Sequence, residues 1–388
     1  MFKRNVLAVS LTLAGLCAAQ AAMADVNGGG ATLPQPLYQT SGVLTAGFAP
    51  YIGVGSGAGK SAFLTNDYTK FVPGTTNKNV HWAGSDSKLS ATELSTYVSA
   101  HGAAWGPLIQ VPSVATSVAI PFNKTGTANV DLSVNQLCGV FSGRLTDWSQ
   151  ITGSGRTGAI TVVYRAESSG TTELFTRFLN AKCAETGTFA ITTNFASSYS
   201  GGLPAGAVSA TGSQAVMTAV NAAQGRITYM SPDYAATTLA GLDDATKVAR
   251  VAGVSPAPAN VSAAIAAVAV PAVANRSNPN AWVPVFAATT NPSDPSVVAY
   301  PSTGYPILGF TNVIFSQCYA DATQTTQVRN FFSRHYGSLT NNDSAITANR
   351  FVPLPSAWKT AIRDSFVTAS SGLSIGNTSV CNAIGRPL

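Results

Sequence analysis

Apolar and polar residues follow two patterns along this chain, one typical of strands and the other of amphipathic helices. Residues 160–179 show both in succession: an apolar strand over 160–164, a short polar turn, and an amphipathic helix over 170–179. Segments of both kinds alternate through the rest of the chain, which favours an α/β fold.

Two long β-branched and aromatic runs, 111–122 and 304–315, divide the chain into three parts. We interpret them as paired crossovers between two domains. Domain I would then comprise 25–115 and 303–388, domain II would comprise 116–302, and a ligand would bind in the cleft between them. The elements predicted between the runs are 137–148, 160–164, 170–179, 214–223 and 227–230. The Ala/Pro/Val/Asn-rich segment 254–297 is predicted to be a long surface excursion with one Ala-rich helix.

The N-terminus has the pattern of a signal peptide. Lys3 and Arg4 precede an apolar run over 6–14, and small residues at 22–24 fit a cleavage site before Asp25. Cleavage would leave 364 residues, enough for two domains, and would lower the net charge from +6 to +4. No later apolar run reaches membrane-spanning length, so we expect a soluble protein in the periplasm or outside the cell.

Composition excludes several classes of protein. Only 10% of the residues are charged and none of the basic ones form a run, so nucleic acid is a poor partner for this chain. The four cysteines that remain after cleavage, Cys138, Cys183, Cys318 and Cys381, suggest two structural disulfides in an oxidising compartment. Three pairings are possible, of which Cys138–Cys183 with Cys318–Cys381 is the simplest. The three histidines lack ligand spacing, so we expect no metal site, and we expect no cofactor.

The turn between the strand and the helix at 160–179 is predicted to hold an anion. A helix start leaves backbone N–H groups without intrahelical partners and carries partial positive charge. Ser169, Gly170 and Thr171 lie at that start and supply amides and two hydroxyls. Arg165 adds a forked cation that suits oxyanions.

Two further glycine-rich turns resemble the first. Thr32 and the amide of Leu33 follow Gly28-Gly-Gly and precede a predicted helix over 35–43. Ser56 lies in the Gly-rich stretch 53–61, which we expect to be a flexible loop after a short strand. Each stretch read alone is more simply an ordinary turn. Three such turns with small hydroxyl residues together favour an anion site.

Asp86 follows an apolar stretch and lies in a turn of small residues. One interpretation makes it the N-cap of a helix over 91–97. The other places its carboxylate among the anion-binding donors, where it repels any anion that lacks a proton. Phosphate near neutral pH carries a proton and sulfate does not, so Asp86 would select phosphate.

Three enzyme motifs are matched only in part. The stretch ending at Lys60 lacks the first glycine of a nucleotide P-loop, because Val54 stands in that position. A nucleophile-elbow pattern over 372–376 has no histidine after it. Ser85-Asp-Ser-Lys88 and Lys124-Thr-Gly126 lie too close together for a penicillin-recognising enzyme. We therefore assign no catalytic residue.

These segments together resemble the DING proteins, a branch of the PstS-type periplasmic phosphate-binding proteins. The opening Asp25-Val-Asn-Gly-Gly-Gly-Ala-Thr-Leu-Pro is close to the stretch that names the branch, with Val26 in place of isoleucine. Further matching stretches extend to about residue 230: 53–60, 83–86, 141–148, 165–171 and 225–230.

The resemblance implies a type II periplasmic-binding-protein fold, with two α/β domains joined by a two-strand hinge and closing over one phosphate. The family's phosphate contacts carry over to Thr32, Leu33, Ser56, Asp86, Arg165, Ser169, Gly170 and Thr171. It also implies a high-affinity phosphate-binding protein for uptake or scavenging, with an ABC-transporter permease as a possible partner. We expect a monomer.

Two other functions stay open at this point. Some proteins of this branch are described as alkaline phosphatases, and a pocket of donors around phosphate would also stabilise a phosphoryl group in transition. Ser169, Ser56 or Thr32 would then be the nucleophile and Asp86 the base. An extracellular adhesive or signalling protein is the third class, and its binding would not depend on Arg165.

Overall fold

The computed structural model describes residues 25–387 and contains two mixed six-stranded sheets with helices packed around them. The predicted signal peptide lies outside the described residues. The strands are β1 (Gly28–Gly30), β2 (Ile52–Gly53), β3 (Trp82–Ser85), β4 (Leu108–Ser117), β5 (Ile120–Asn123), β6 (Asp131–Leu132), β7 (Thr161–Arg165), β8 (Val208–Ala210), β9 (Arg226–Thr228), β10 (Val248–Val251), β11 (Val285–Ala287), β12 (Val297–Ala299), β13 (Leu308–Ser316) and β14 (Val352–Pro353).

The α-helices lie between these strands and after the last of them. They are α1 (Gln35–Gln39), α2 (Ser56–Thr65), α3 (Ala91–Tyr97), α4 (Ala103–Trp105), α5 (Val134–Ser142), α6 (Gly170–Lys182), α7 (Ser213–Asn221), α8 (Pro232–Ala235), α9 (Pro258–Ile265), α10 (Ala322–His335), α11 (Asp343–Ala348) and α12 (Ser356–Phe366). A π-helical turn over Val98–Gly102 joins α3 to α4.

The sheets define two domains. The first domain carries the sheet of order β14-β4-β13-β3-β1-β2, and the second carries the order β6-β10-β5-β9-β7-β8. Strands from the beginning and the end of the chain share the first sheet, so the first domain is discontinuous in sequence. Such mixed α/β layers are the expected outcome of alternating strand and helix patterns.

The chain crosses between the domains twice. It leaves β4 at Ser117 and enters β5 at Ile120, and it returns to the first sheet at Leu308. The two crossing segments are joined to each other, because the Val118 N–H donates to the Ile307 carbonyl at 2.8 Å. A hydrogen-bonded pair of strands therefore forms the hinge, and the domain limits of 115 and 303 stay predictions.

The two long apolar runs become the central antiparallel pair of the first sheet. Every residue of β4 and of β13 is buried, as continuous apolar runs predict for strands covered on both faces. Pro112 lies within β4 and lacks an N–H, and the pairing register shifts opposite it, between Thr311 and Asn312. A bulge at this point accommodates the missing donor.

The excursion before β13 has more structure than its composition predicts. Beside the expected helix α9 it forms a parallel two-stranded ribbon, β11–β12. Trp282 packs on Phe366 of the first domain with ring centroids 5.2 Å apart, and β11 lies against α6 of the second domain. Tyr300, just beyond β12 and the predicted end of the excursion, packs on Phe178 of α6 at 5.5 Å. The excursion therefore contacts both domains, the first through Trp282 and the second through β11.

The stretch 53–61 is a second difference from expectation. We predicted a flexible loop, whereas Ser56 begins helix α2. Its glycines serve packing, since a Cβ on Gly59 would lie 2.5 Å from the Cα of Gly30. Close approach of two backbones is therefore the reason for glycine here.

Both disulfides of the simplest pairing are formed. Cys138 bonds to Cys183, and Cys318 bonds to Cys381. The first ties α5 to the end of α6, and the second ties the C-terminal segment to the end of β13. Disulfides of this kind are typical of exported proteins. None of the helices within 25–387 is long and apolar enough to cross a membrane.

Candidate functional site

The first domain supplies two backbone turns that lie side by side. Thr32 and Leu33 follow β1, and Ser56 starts α2 beside them. Thr32 and Ser56 are buried polar residues, 6% and 0% exposed. The Leu33 side chain belongs to the apolar core, so Leu33 would contact a ligand through its backbone N–H. These positions bring two hydroxyls and the start of one helix to one edge of the first sheet.

Asp86 lies at the same edge, immediately after β3. Its backbone N–H donates to the Ser56 Oγ at 3.0 Å. Its carboxylate accepts from two hydroxyls, from Thr311 of the first domain at Oδ1 and from Thr171 of the second at Oδ2, the latter at 3.3 Å. Helix α3 is instead capped by Ser90, whose side chain accepts from the Glu93 N–H, so the N-cap interpretation of Asp86 is wrong.

Burial dominates the electrostatics of Asp86. The side chain is 4% exposed, and burial raises its pKa to about 6, while the Thr311 hydrogen bond and the Arg165 charge act in the opposite direction. Desolvation penalises the ionised form of a carboxyl group, and nearby donors and cations favour it. Asp86 is thus mostly a carboxylate at pH 7 and is readily protonated about one pH unit below its pKa.

Arg165 enters the site from the end of β7 and is held by a neighbouring carboxylate. Its Nε donates to the Glu167 Oε1 at 2.7 Å, its Nη2 donates to the same oxygen, and its Nη1 donates to the Ser213 Oγ at 3.4 Å. The Gly212 N–H also donates to Glu167, at 3.0 Å. Glu167 therefore partly offsets a cation that is only 2% exposed and fixes the plane of its guanidinium.

Helix α6 points its N-terminus at Asp86. Ser169 is the N-cap, and its Oγ accepts from the Thr172 N–H at 3.2 Å. Gly170 follows, and a Cβ there would lie 2.4 Å from the Ser56 Oγ and 2.6 Å from the Asp86 Cβ. The absence of a side chain at Gly170 lets the positive end of the helix reach the first domain.

The two domains touch across the site. The Thr32 Oγ1 and Ser213 Oγ are 2.9 Å apart, and the Gly57 N–H donates to the Ser168 carbonyl at 3.3 Å. The Thr171–Asp86 hydrogen bond is a third link. The site is therefore assembled only when the domains close on each other.

All eight residues predicted for the site lie around this junction. Four come from the first domain and four from the second, in agreement with a cleft between domains: Thr32, Leu33, Ser56, Asp86, Arg165, Ser169, Gly170 and Thr171.

Three residues at the junction were not predicted. Ser213 follows Gly212 at a helix start, so the pattern used for the other turns would have found it. Glu167 lies in the turn between β7 and α6, but sequence alone does not show its pairing with Arg165. Thr311 is one hydroxyl within a long apolar strand, and nothing in the sequence marks it.

The buried histidines belong to the packing rather than to the site. His81 accepts from the Asn27 N–H at 2.9 Å, and burial lowers its pKa to about 3. His335 bonds to the Ser113 hydroxyl at 2.8 Å, and burial lowers its pKa to about 4. Within residues 25–387 no three His, Cys, Asp or Glu side chains are grouped so that they could hold a metal ion.

The arrangement suits a small oxyanion. It combines one guanidinium, whose charge Glu167 partly offsets, with a helix start, several hydroxyls and the carboxylate of Asp86, and most of these groups are buried. Within each domain these donors are fixed by the backbone, so they need little local rearrangement to bind an anion once the domains close.

Comparison with known proteins gives consistent results. A family model described as a PBP superfamily domain matches residues 19–333. A curated relative from Pseudomonas aeruginosa strain UCBPP-PA14, named alkaline phosphatase L, is 76% identical over the whole of both chains. A phosphate-binding protein from an unknown prokaryotic organism is 70% identical and covers 94% of this chain and all of its own. A solved structure described as a high affinity periplasmic phosphate-binding protein (PfluDING), bound with phosphate, superposes with a TM-score of 0.92 at 75% identity, covering 94% of this chain and 100% of its own.

Proposed function

Because this chain belongs to the PBP superfamily and, within it, to the DING branch of the phosphate-binding proteins, we propose that it binds inorganic phosphate in the interdomain cleft. The observation that carries the proposal is the single buried carboxylate of Asp86 among donors contributed by both domains. At pH 7 and above Asp86 accepts the proton of hydrogen phosphate. Sulfate brings no proton and is repelled.

Eight residues would contact the anion. Arg165 and the start of α6 supply positive charge, while hydroxyls and amides of both domains supply neutral donors. The proposed contacts are Thr32, Leu33, Ser56, Asp86, Arg165, Ser169, Gly170 and Thr171.

The biological role that fits this site is phosphate uptake or scavenging outside the inner membrane. Two disulfides and the N-terminal pattern support export. Closure of two domains over one ion exposes a surface that differs between the free and the loaded protein. A membrane permease of the ABC type would bind the surface of the closed, loaded form and accept phosphate from it.

The test is calorimetric titration of the mature protein with phosphate and with sulfate, from pH 5 to pH 8.5. At pH 8 we expect tight phosphate binding and no measurable sulfate binding. Below pH 6 Asp86 becomes protonated and able to donate to sulfate, so the preference for phosphate narrows. Asp86→Asn should reduce that preference at least tenfold at pH 8 and remove its pH dependence.

Asp364→Asn is the matched control, since Asp364 is an exposed carboxylate of the first domain. It should leave both titrations unchanged. A wild-type protein that binds neither anion, or one whose preference for phosphate survives Asp86→Asn in full, would contradict the proposal.

Phosphate-ester hydrolysis is the alternative, since curated relatives carry the name alkaline phosphatase L. The Ser56 and Ser169 hydroxyls accept from backbone N–H groups, and neither bonds to the Asp86 carboxylate. Nothing in these contacts favours an activated nucleophile. The same preparations should be assayed for release of phosphate from an aryl phosphate. Turnover that survives purification and is lost in Asp86→Asn would make this protein an enzyme.

A further inference from the structure

Ser213 is a buried serine at the beginning of α7, only 1% exposed, that links residues of both domains. Its Oγ lies 2.9 Å from the Thr32 Oγ1, across the junction between the domains. The Ser213 N–H donates to the same Thr32 oxygen at 3.3 Å. Its Oγ also accepts from the Arg165 Nη1 at 3.4 Å. The phosphate contacts that the family resemblance implies do not include Ser213.

The direction of these hydrogen bonds follows from the chemistry of the groups. A guanidinium only donates, so the Ser213 oxygen is the acceptor of the bond from Arg165. A backbone N–H only donates, so the Thr32 oxygen is the acceptor of the bond from Ser213. Arg165 occupies one of the two lone pairs of the Ser213 oxygen and cannot accept, so Thr32 Oγ1 is the acceptor within reach of the Ser213 hydroxyl proton, although the 2.9 Å contact by itself also fits a bond in the reverse direction.

When Ser213 donates its hydroxyl proton, Thr32 receives two hydrogen bonds at one oxygen, one from the Ser213 N–H and one from the Ser213 hydroxyl. A hydroxyl has two acceptor lone pairs and one proton, so its remaining capacity is to donate. The chain of donors runs from the Arg165 guanidinium through Ser213 to Thr32 and ends in a proton directed away from Ser213. Successive bonds in such a chain polarise each other.

We propose that Ser213 is a positioning residue that turns the Thr32 hydroxyl into an obligate donor to the bound oxyanion. This inference rests on the proposed function. It places the proton of hydrogen phosphate on the phosphate oxygen that faces Asp86, because the phosphate oxygen that faces Thr32 meets a hydrogen-bond donor. Thr32 is oriented from the second domain, so it becomes a donor when the cleft closes.

The test compares Ser213→Ala in two backgrounds by calorimetry and by stopped-flow measurement of phosphate release. This substitution keeps the backbone N–H and removes the hydroxyl. In the wild-type background we expect about tenfold weaker phosphate binding, carried by faster release rather than slower association. In the Thr32→Val background, where no hydroxyl is left to orient, Ser213→Ala should change affinity by less than about threefold.

Controls separate this role from a general loss of structure. Ser198→Ala removes another buried hydroxyl of the second domain, one that donates to the Phe195 carbonyl, and should leave phosphate affinity unchanged. Ser213→Cys keeps the size of the side chain with a weak donor and should lose affinity in the same direction as Ser213→Ala. If Ser213→Ala does not fold, the phosphate affinity of Ser213→Cys tests the proposal in its place.

The outcomes distinguish the inference from the proposed function. Equal losses on Ser213→Ala in both backgrounds, or wild-type affinity in both Ser213 variants, would overturn the role of Ser213 while leaving phosphate binding intact. Failure of the wild-type protein to bind phosphate would overturn the proposed function itself.

Discussion

The site buries charged and polar side chains that would be better solvated in water, and Asp86 is the clearest example. Its carboxylate is buried, and its oxygens accept from the hydroxyls of Thr311 and Thr171. These two bonds are weaker compensation than bulk water, so burial still raises the pKa of Asp86 to about 6. A site that recognises the proton of hydrogen phosphate through a carboxylate must bury that carboxylate and still keep it ionised at neutral pH.

The burial of Asp86 predicts a pH-dependent stability. An Asp86 pKa of about 6 in the folded protein, against 3.8 when exposed, means that folding disfavours the ionised form. This contribution to the free energy of unfolding is therefore fully present below pH 4 and is lost as pH rises to about 6. The difference corresponds to about 3 kcal/mol.

Urea unfolding of the mature protein in phosphate-free buffer, from pH 4 to pH 7, measures this effect. Asp86→Asn should unfold at higher urea than the wild type at pH 7, and the two should converge near pH 4. The exposed Asp364→Asn should follow the wild type throughout. A variant Asp86→Asn that is less stable than the wild type at pH 7 would contradict the assignment.

At the scale of elements, helix α6 delivers the second domain's ligands to the first. Its N-terminus is capped by Ser169, and its first residue, Gly170, packs against Ser56 and Asp86. At its other end Cys183 bonds to Cys138 of α5. The helix is therefore anchored at one end and docked at the other.

Gly170→Ala should separate the folding of this helix from its docking. Alanine is a better helix former than glycine, so the second domain should keep its stability. The added Cβ would lie 2.4 Å from the Ser56 Oγ, which prevents full closure. We expect phosphate binding to weaken about tenfold or more in calorimetric titrations. Gly372→Ala, where no atom lies within 4 Å of the new Cβ, should bind phosphate as the wild type does.

The disulfide at the far end of α6 should contribute stability without contributing affinity. Cys138→Ser combined with Cys183→Ser removes a link between positions 45 residues apart. We expect the free energy of unfolding to fall by about 4 kcal/mol in urea titrations. Phosphate affinity at 25 °C should change less than about twofold, because the bond is a helix length, about 20 Å, from Ser169. A larger loss of affinity would show that the position of α6 depends on this bond.

At the scale of the whole molecule, contacts between the domains extend beyond the site. Arg350 of the first domain donates through Nη2 to the Asp233 carbonyl at 3.0 Å and through Nη1 to the Thr237 carbonyl at 3.2 Å. On another side of the molecule, Tyr300, which lies between β12 and β13, packs on Phe178 of α6. The closed form is thus stabilised by contacts outside the site as well as by those within it.

Arg350→Ala should shift the molecule toward the open form. It removes two hydrogen bonds that join the domains and touches none of the proposed phosphate contacts. We expect phosphate affinity to fall by about three- to tenfold, with faster release in stopped-flow measurements. Arg363→Ala removes a first-domain arginine that donates only weakly to Thr360, at 3.4 Å, and should not alter release. Unchanged release in Arg350→Ala would show that these bonds persist when the cleft opens.

Local sequence determined those parts of the protein that depend on neighbouring residues. The strand, turn and helix at 160–179 could be predicted because apolar periodicity, the hydroxyl cap and glycine all lie within one short segment. The helix over 91–97 is another such case, although its cap is Ser90 rather than Asp86. Residue type was also enough to nominate Arg165 and Asp86, since few side chains offer their chemistry.

Tertiary structure alone decided which distant residues meet. Thr311 reaches Asp86 over 225 positions of sequence, and Ser213 reaches Thr32 over 181. The glycine-rich stretch after Gly55 is a helix rather than a loop, and Gly59 within it packs against the backbone of Gly30, a contact that no local pattern encodes. Hydrogen bonds and close packing depend on distances in space. A sequence specifies those distances only through the complete fold, so these pairings depend on the two domains being closed on each other.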